Sequence, residues 1–221
     1  MKADKGNITV VFDACEIDKL INEQLDNPKQ FKKLLENPLP KFSKIVKKCA
    51  GDLLKARAIT GSQFNLITNQ AYVDPHVFPR VKIHKGGHPI RLITVSKQGV
   101  NEALAELIKP ILKQVIGCQY TVKNAKPVKE EMEKVCIPLG GCMVSFDVEK
   151  LYPSISQKLI LETLKEVLEK PNNEHKLNGF TVNQLLEIVS VVFQTSYVTH
   201  KGASYLQVGG GYRQGPHSQL F

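Results

Sequence analysis

No cysteine pair in this 221-residue chain has metal-type or redox spacing. The five cysteines, at 15, 49, 118, 136 and 142, form no Cys-x-x-Cys, and only Cys136 and Cys142 lie close together. An odd count without such spacing reads as free thiols in a reducing compartment and argues against zinc. No apolar run approaches the roughly 18–20 residues of a membrane span. The opening Met-Lys-Ala-Asp-Lys-Gly lacks the apolar core of a secretory signal. The expectation is an intracellular protein of cytoplasm or nucleus, not secreted, with no membrane partner. Acid is also missing where it would be informative: none occurs between Asp74 and Glu102, and no aspartate follows Asp147.

What is present is an excess of base. The net charge is +9, with 42% hydrophobic and 23% charged residues, enough to bury one or two compact cores. Residues 1–50 carry 10 basic and 7 acidic side chains, 51–125 carry 10 and 4, and the remainder 10 and 10. The acid-free window holds Arg80, Lys82, Lys85, Arg91, Lys97 and three histidines. A polyanionic partner follows as one expectation and a solvated basic loop as the other.

Periodicity sets the expected elements. Residues 7–12 read as a strand, 16–25 and 28–36 as helices, and 41–56 as an amphipathic helix with Phe42, Ile45, Val46, Cys49 and Leu53 inward. The pattern over 60–80 is irregular. Ile90–Val95 reads as a strand, 98–116 as a helix that Pro110 kinks or divides, and Lys126–Lys134 as a short charged helix. A helix starts at Ser156, a polar loop spans Asn172–Gly179, and Thr181…Gln184 is a capping box before another helix. Residues 196–200 and 203–208 suggest a hairpin around Lys201-Gly202.

One stretch carries chemistry more directly than the rest: Cys142-Met-Val-Ser-Phe-Asp-Val-Glu-Lys-Leu-Tyr-Pro-Ser-Ile155. As a strand with period two, it sets Met143, Ser145 and Asp147 on one face and Cys142, Val144, Phe146 and Val148 on the other. A strand-end carboxylate of this kind can hold a divalent cation against phosphate oxygens. The plainer alternative is an Asp that opens a turn before Pro153.

Together with three other stretches it resembles a reverse transcriptase of the Penelope-like retroelement family. Ala3-Asp-Lys-Gly-Asn-Ile-Thr-Val-Val-Phe-Asp13 is similar to that family's opening box. Pro79-Arg-Val-Lys-Ile-His-Lys-Gly-Gly-His-Pro-Ile-Arg-Leu-Ile93 resembles its fingers box. The Asp147 strand looks like polymerase motif A, and Tyr205-Leu-Gln-Val-Gly-Gly-Gly-Tyr-Arg-Gln-Gly-Pro-His-Ser218 looks like motif B. The four occur in the family's order from residue 3 to residue 218.

The resemblance implies an α+β fold: right-hand polymerase fingers and an incomplete palm of the split βαβ type, after a helical N-terminal lead-in. The implied division is lead-in 1–58, fingers 59–135 and partial palm 136–221. It implies Mg2+ as cofactor, with an RNA template, a DNA primer and deoxynucleotide triphosphates as partners. Asp147 is then the catalytic aspartate and first metal ligand, assisted by the carbonyl of Val148. Tyr152 stacks beneath the incoming sugar, or is simply a core tyrosine. Arg91 grips the triphosphate, which suits a planar guanidinium fork. Lys82 is a further nucleotide contact, and Lys85, His84 and Arg80 contact nucleic-acid backbone, which positions a strand without reading it. Gln207 and Gln214 are polar contacts in motif B, where Gly209–Gly211, Gly215 and Ser218 let the backbone approach a base pair.

Two departures from the family bear on activity. Aligned on Tyr205, Gln207 and Gly210, the chain has Gln214 where a glycine is expected. Aligned on Gln214-Gly215, the loop is one residue short before Ser218. The family's second metal site, a Tyr-x-Asp-Asp turn after motif B, does not occur among these residues, nor does a thumb or nuclease. The expectation is a polymerase fragment that is inactive alone, the alternatives being a non-catalytic basic nucleic-acid-binding module or a decayed reading frame without retained function.

Overall fold

The computed structural model describes residues 1–116, 124–148 and 151–210, with Tyr152 and Pro153 described only as members of a helix. Its centre is a mixed five-stranded sheet in the order β1-β5-β4-β2-β3. The strands are β1 (Phe31–Leu34), β2 (His76–Val81), β3 (Ile90–Val95), β4 (Tyr197–His200) and β5 (Ala203–Gln207). Antiparallel pairs join β1 to β5, β5 to β4 and β2 to β3, whereas β4 meets β2 in parallel only at Thr199 and His76. That short junction leaves the Val81 end of β2 unpaired by β4. The sheet draws strands from all three expected segments: β1 from 1–58, β2 and β3 from 59–135, β4 and β5 from 136–221.

Eight helices are present among the described residues: α1 (Ala14–Leu25), α2 (Leu39–Lys55), α3 (Gly61–Thr68), α4 (Glu102–Ile116), α5 (Ala125–Met132), α6 (Leu151–Ser154), α7 (Gln157–Leu168) and α8 (Val182–Gln194). Helix α1 starts where the Asp13 carboxylate accepts from the Cys15 amide at 2.7 Å. Its Ile17, Ile21 and Leu25, spaced by four, pack on Val77, Val81, Ile90, Val198 and Tyr205 of one sheet face. Each such buried side chain contributes about 1.5–3 kcal/mol relative to exposure. Asp18 of α1 also pairs with Lys201 and lies 3.7 Å from His200 Nε2, tying the helix to the β4–β5 turn.

The opposite face holds the larger core, where Phe42, Val46 and Leu53 of α2 meet Leu104, Ile108 and Leu112 of α4, Leu164 and Leu168 of α7, and Leu185, Ile188 and Val189 of α8. Tyr197 enters this core from β4, its ring edge-on to Phe42 at 5.5 Å and its hydroxyl donating to Asp74. Burial, then that hydrogen bond, pushes the Tyr197 phenol far above its ordinary value. Buried Asn101 donates to the Val192 carbonyl at 3.0 Å and to Ser196 Oγ at 3.2 Å, locking the start of α4 to the end of α8. Pro110 lies inside α4 without dividing it.

Besides a 3-10 turn at Pro171–Lys176 over the expected polar loop, local expectations and observed elements differ in four places, each for a nameable reason. Residues 28–36 form a turn and then β1 instead of a helix, because β5 offers Phe31–Leu34 a complete ladder and cross-strand pairing outweighs weak helical spacing. Residues 7–12 make only a bridge, Thr9 to Lys2, in a tight N-terminal reversal with Gly6 at φ 76°. The irregular 60–80 stretch contains α3, whose Thr60 and Gln63 close a complete capping box. Finally, the expected strand at 142–148 is irregular, with Val144 65% and Phe146 89% exposed. No described strand pairs with it, and a strand without a ladder partner has little stability of its own.

Candidate nucleotide and nucleic-acid interface

The β2–β3 register sets Arg80 directly opposite Arg91. With period two, both project from the face opposite the one where Val77, Val81 and Ile90 meet α1. Like charges in this position repel, by roughly 0.2–1 kcal/mol on a sheet surface. Something must offset that repulsion, and the N-terminal segment does.

Residues 1–10 fold back on themselves: Ala3 N donates to Ile8 O at 2.9 Å and Val10 N to Met1 O at 2.7 Å. The reversal lies along the end of β2 that β4 leaves unpaired, where Ala3 bridges Val81 in parallel and Asp4 N donates to Val81 O at 2.8 Å. Ala3 is fully buried. Asp4, alternating to the other side, meets Arg91 Nη1 at 2.8 Å across 87 residues of sequence. Arg80 Nη1 donates to the Ala3 carbonyl at 3.4 Å, and its guanidinium lies 5.8 Å from the Phe78 ring centroid, within cation–π range. The Asp4 side chain is 3% exposed and that of Arg91 34%, so the carboxylate sits behind the guanidinium. Its second oxygen, Oδ2, is buried without a hydrogen-bond partner.

Lys82, His84 and Lys85 occupy the turn joining the two strands. Backbone bonds shape it, from Lys82 N to Pro89 O at 2.9 Å, Lys85 N to Lys82 O at 3.1 Å and His88 N to Lys85 O at 3.2 Å. Gly87 and His88 take positive φ of 71° and 44°, the conformation that closes the turn. His84 and Lys85 are exposed at its tip. The acid-free window thus folds into a hairpin with two arginines on a sheet face and further bases at its end.

Among the described residues no hydrogen bond or ion pair joins Asp147 or Val148 of motif A to this face. Both are exposed, in the irregular stretch. Tyr152 falls in α6, its side chain outside what is described. Among the described residues no group of three or more His, Cys, Asp or Glu converges on a common point. A single exposed carboxylate does not assemble the two-metal arrangement of nucleotide addition, so the described residues do not by themselves fit a Mg2+ pair.

In the glycine-rich box, Gln207 is buried. Its amide donates inward, to Gly209 O at 3.2 Å and Gly210 O at 2.7 Å, and so braces the turn. Gln157 Nε2 donates to the Gln207 carbonyl at 3.4 Å. The turn rests on the lead-in: Val208 N and Gly209 N both donate to Gln30 O, at 2.9 and 3.3 Å. Gln214, with Gly211, Gly215 and Ser218, lies outside the described residues.

Reading the sequence assigned no role to Asp4. The available signal was an isolated acid, the only one in the first ten residues, inside a box of the resembling family. Compared with family models, curated proteins and solved structures, the chain finds no match.

Proposed function

We propose that this chain is part of an RNA-directed DNA polymerase of the Penelope-like type. On this reading its residues supply a lead-in, the fingers and the start of a palm. The portion of the work they carry is to grip polyphosphate and nucleic-acid backbone on the Arg80–Arg91 face, with Lys82, Lys85 and His84 extending that grip. The supporting observation is the Asp4–Arg91 salt bridge, which joins the first and second of the four family-like boxes. Arg91 keeps donors beyond the one that Asp4 uses, and a guanidinium fork matches phosphate oxygens. Asp147, with the Val148 carbonyl, belongs to the same reading as the aspartate of motif A.

These 221 residues contain one such carboxylate, and the reading assigns them no nucleotide addition alone. Primer extension on an RNA template with Mg2+ is expected to yield no product. Extension that Asp147→Ala abolishes would overturn that expectation while supporting the site. The grip is tested with a labelled RNA–DNA hybrid by fluorescence anisotropy across salt. Log affinity should fall linearly with log salt, with a slope of about −0.7 to −0.9 per phosphate neutralised. Salt-independent binding, or none at low salt, removes the reading.

A second reading is favoured by one contrast. The basic hairpin is built and braced, whereas the Asp147 stretch is exposed and has no ladder partner among the described residues. A non-catalytic nucleic-acid-binding module needs only the former. That module would bind the hybrid and show no change with Asp147→Ala, even when the remaining polymerase segments are supplied.

A further inference from the structure

We propose that Asp4 is a positioning residue for Arg91, which makes the N-terminal box a working part of the polyphosphate grip. The inference rests on the reading that Arg91 contacts a triphosphate, and deepens it. A carboxylate beside an anion site would, on charge alone, weaken anion binding. The geometry points the other way. Asp4 is almost fully buried and holds one guanidinium nitrogen at 2.8 Å from behind, while Arg91 remains a third exposed. Among the described residues the other guanidinium donors of Arg91 have no partner. An incoming polyphosphate therefore meets an arginine that Asp4 already holds by one nitrogen and that is a third exposed.

Two features of the segment support a purpose beyond folding. The backbone clamp of Asp4 N on Val81 O at 2.8 Å fixes the carboxylate relative to β2 independently of its side-chain contact. The adjoining Ala3 carbonyl accepts from Arg80, so one short segment orients both arginines of the repelling cross-strand pair. Without Asp4, Arg91 would face Arg80 with no counter-charge among the described residues, and its long side chain would be free to swing away. The orphan Oδ2 has no other visible duty.

The test uses the whole chain and inorganic tripolyphosphate, by calorimetry at low salt, with thermal melts as a check of fold. Positioning predicts that Asp4→Asn weakens binding by about tenfold, the effect of one lost charge-assisted hydrogen bond. Asp4→Glu, which keeps the charge, should recover most of it, and Arg91→Ala should weaken binding at least as much as Asp4→Asn. If Arg91→Ala weakens binding while Asp4→Asn binds equally or more tightly, Asp4 is only a neutraliser and the inference fails alone. If Arg91→Ala changes nothing, or the unmodified chain does not bind, the triphosphate reading fails and takes the inference with it. Should Asp4→Asn not fold, the unmodified chain still decides. The nitrogen-15 guanidinium signal of Arg91, assigned by its loss in Arg91→Lys, should keep its restricted rotation when tripolyphosphate is added. Release of that restraint would make Asp4 a latch that the ligand displaces, and would overturn positioning.

Discussion

Gly209→Ala is the sharpest probe of how the glycine-rich box is held. Gly209 lies against the backbone of the 27–30 turn, with the carbonyl carbon of Lys29 3.1 Å and the Cα of Gln30 3.5 Å from where a Cβ would sit. The Lys29 carbonyl oxygen is nearer still, inside any tolerable contact. These are main-chain atoms, so no side chain can rotate away; either the box or the turn must move. Such overpacking costs about 1–3 kcal/mol. The displacement also breaks two hydrogen bonds that converge on Gln30 O, from Val208 N and Gly209 N, at about 0.5–1.5 kcal/mol each. The expected loss is therefore about 2–6 kcal/mol, read as a lower urea midpoint with an unchanged slope. The thermal midpoint should fall by about 2–4 °C per kcal/mol in a chain of this size. Added Gln30→Gly, which leaves the accepting carbonyl in place, should not restore it. A Gly209→Ala chain that unfolds within about 0.5 kcal/mol of the parent would refute the close approach, and with it the idea that the lead-in braces this box.

Three further outcomes follow from the same packing. Asn101→Ala should cost about 1–3 kcal/mol in urea unfolding, because the Val192 carbonyl and Ser196 hydroxyl lose a buried partner; a loss under about 0.5 kcal/mol would remove its locking role. The Cys49 thiol is pushed up from 9.0 to about 11, by burial first and then by the charges of Glu187 and Asp52. Its folded value is raised, so its stabilising contribution is complete below pH 9 and is lost as pH rises toward about 11. Alkylation at pH 8 should accordingly label the exposed Cys15, Cys136 and Cys142 well before Cys49, and equal labelling would mean that the α2 core is open. Asp147→Ala, at an exposed position outside any ladder, should shift unfolding by less than about 0.5 kcal/mol; a larger loss would show that the 142–148 stretch is packed.

How much was readable depended on the range of the forces involved. The helices of 39–55, 157–168 and 182–194 were legible because their signals are local: apolar residues at three- and four-residue spacing, Ser156 and Thr181 as caps, Gln184 closing a capping box. Ile90–Val95 and the strands on either side of Lys201-Gly202 were legible through β-branched runs and a turn. Thr60-x-x-Gln63 carries the same capping signal, obscured by Pro75 and Pro79 farther along the stretch. The candidate site was legible in its bases and not in its geometry. The acid-free window already marked Arg80, Lys82, Lys85 and Arg91, whereas the inward turn of the Gln207 amide onto Gly209 and Gly210 was not visible in spacing.

From composition and local pattern alone came the basic excess, the amphipathic helices and the β3 strand, whereas the four boxes rest on resemblance to a family. The helices and the strand depend on neighbours within a few residues. Tertiary structure decided the rest. It made 31–34 a strand by giving it β5, and gave 142–148 no ladder partner among the described residues. It brought Asp4 to Arg91 across 87 residues. The reason is that a strand's hydrogen bonds and an ion pair's counter-charge both lie on another part of the chain, and which part arrives is settled by burial of the whole core.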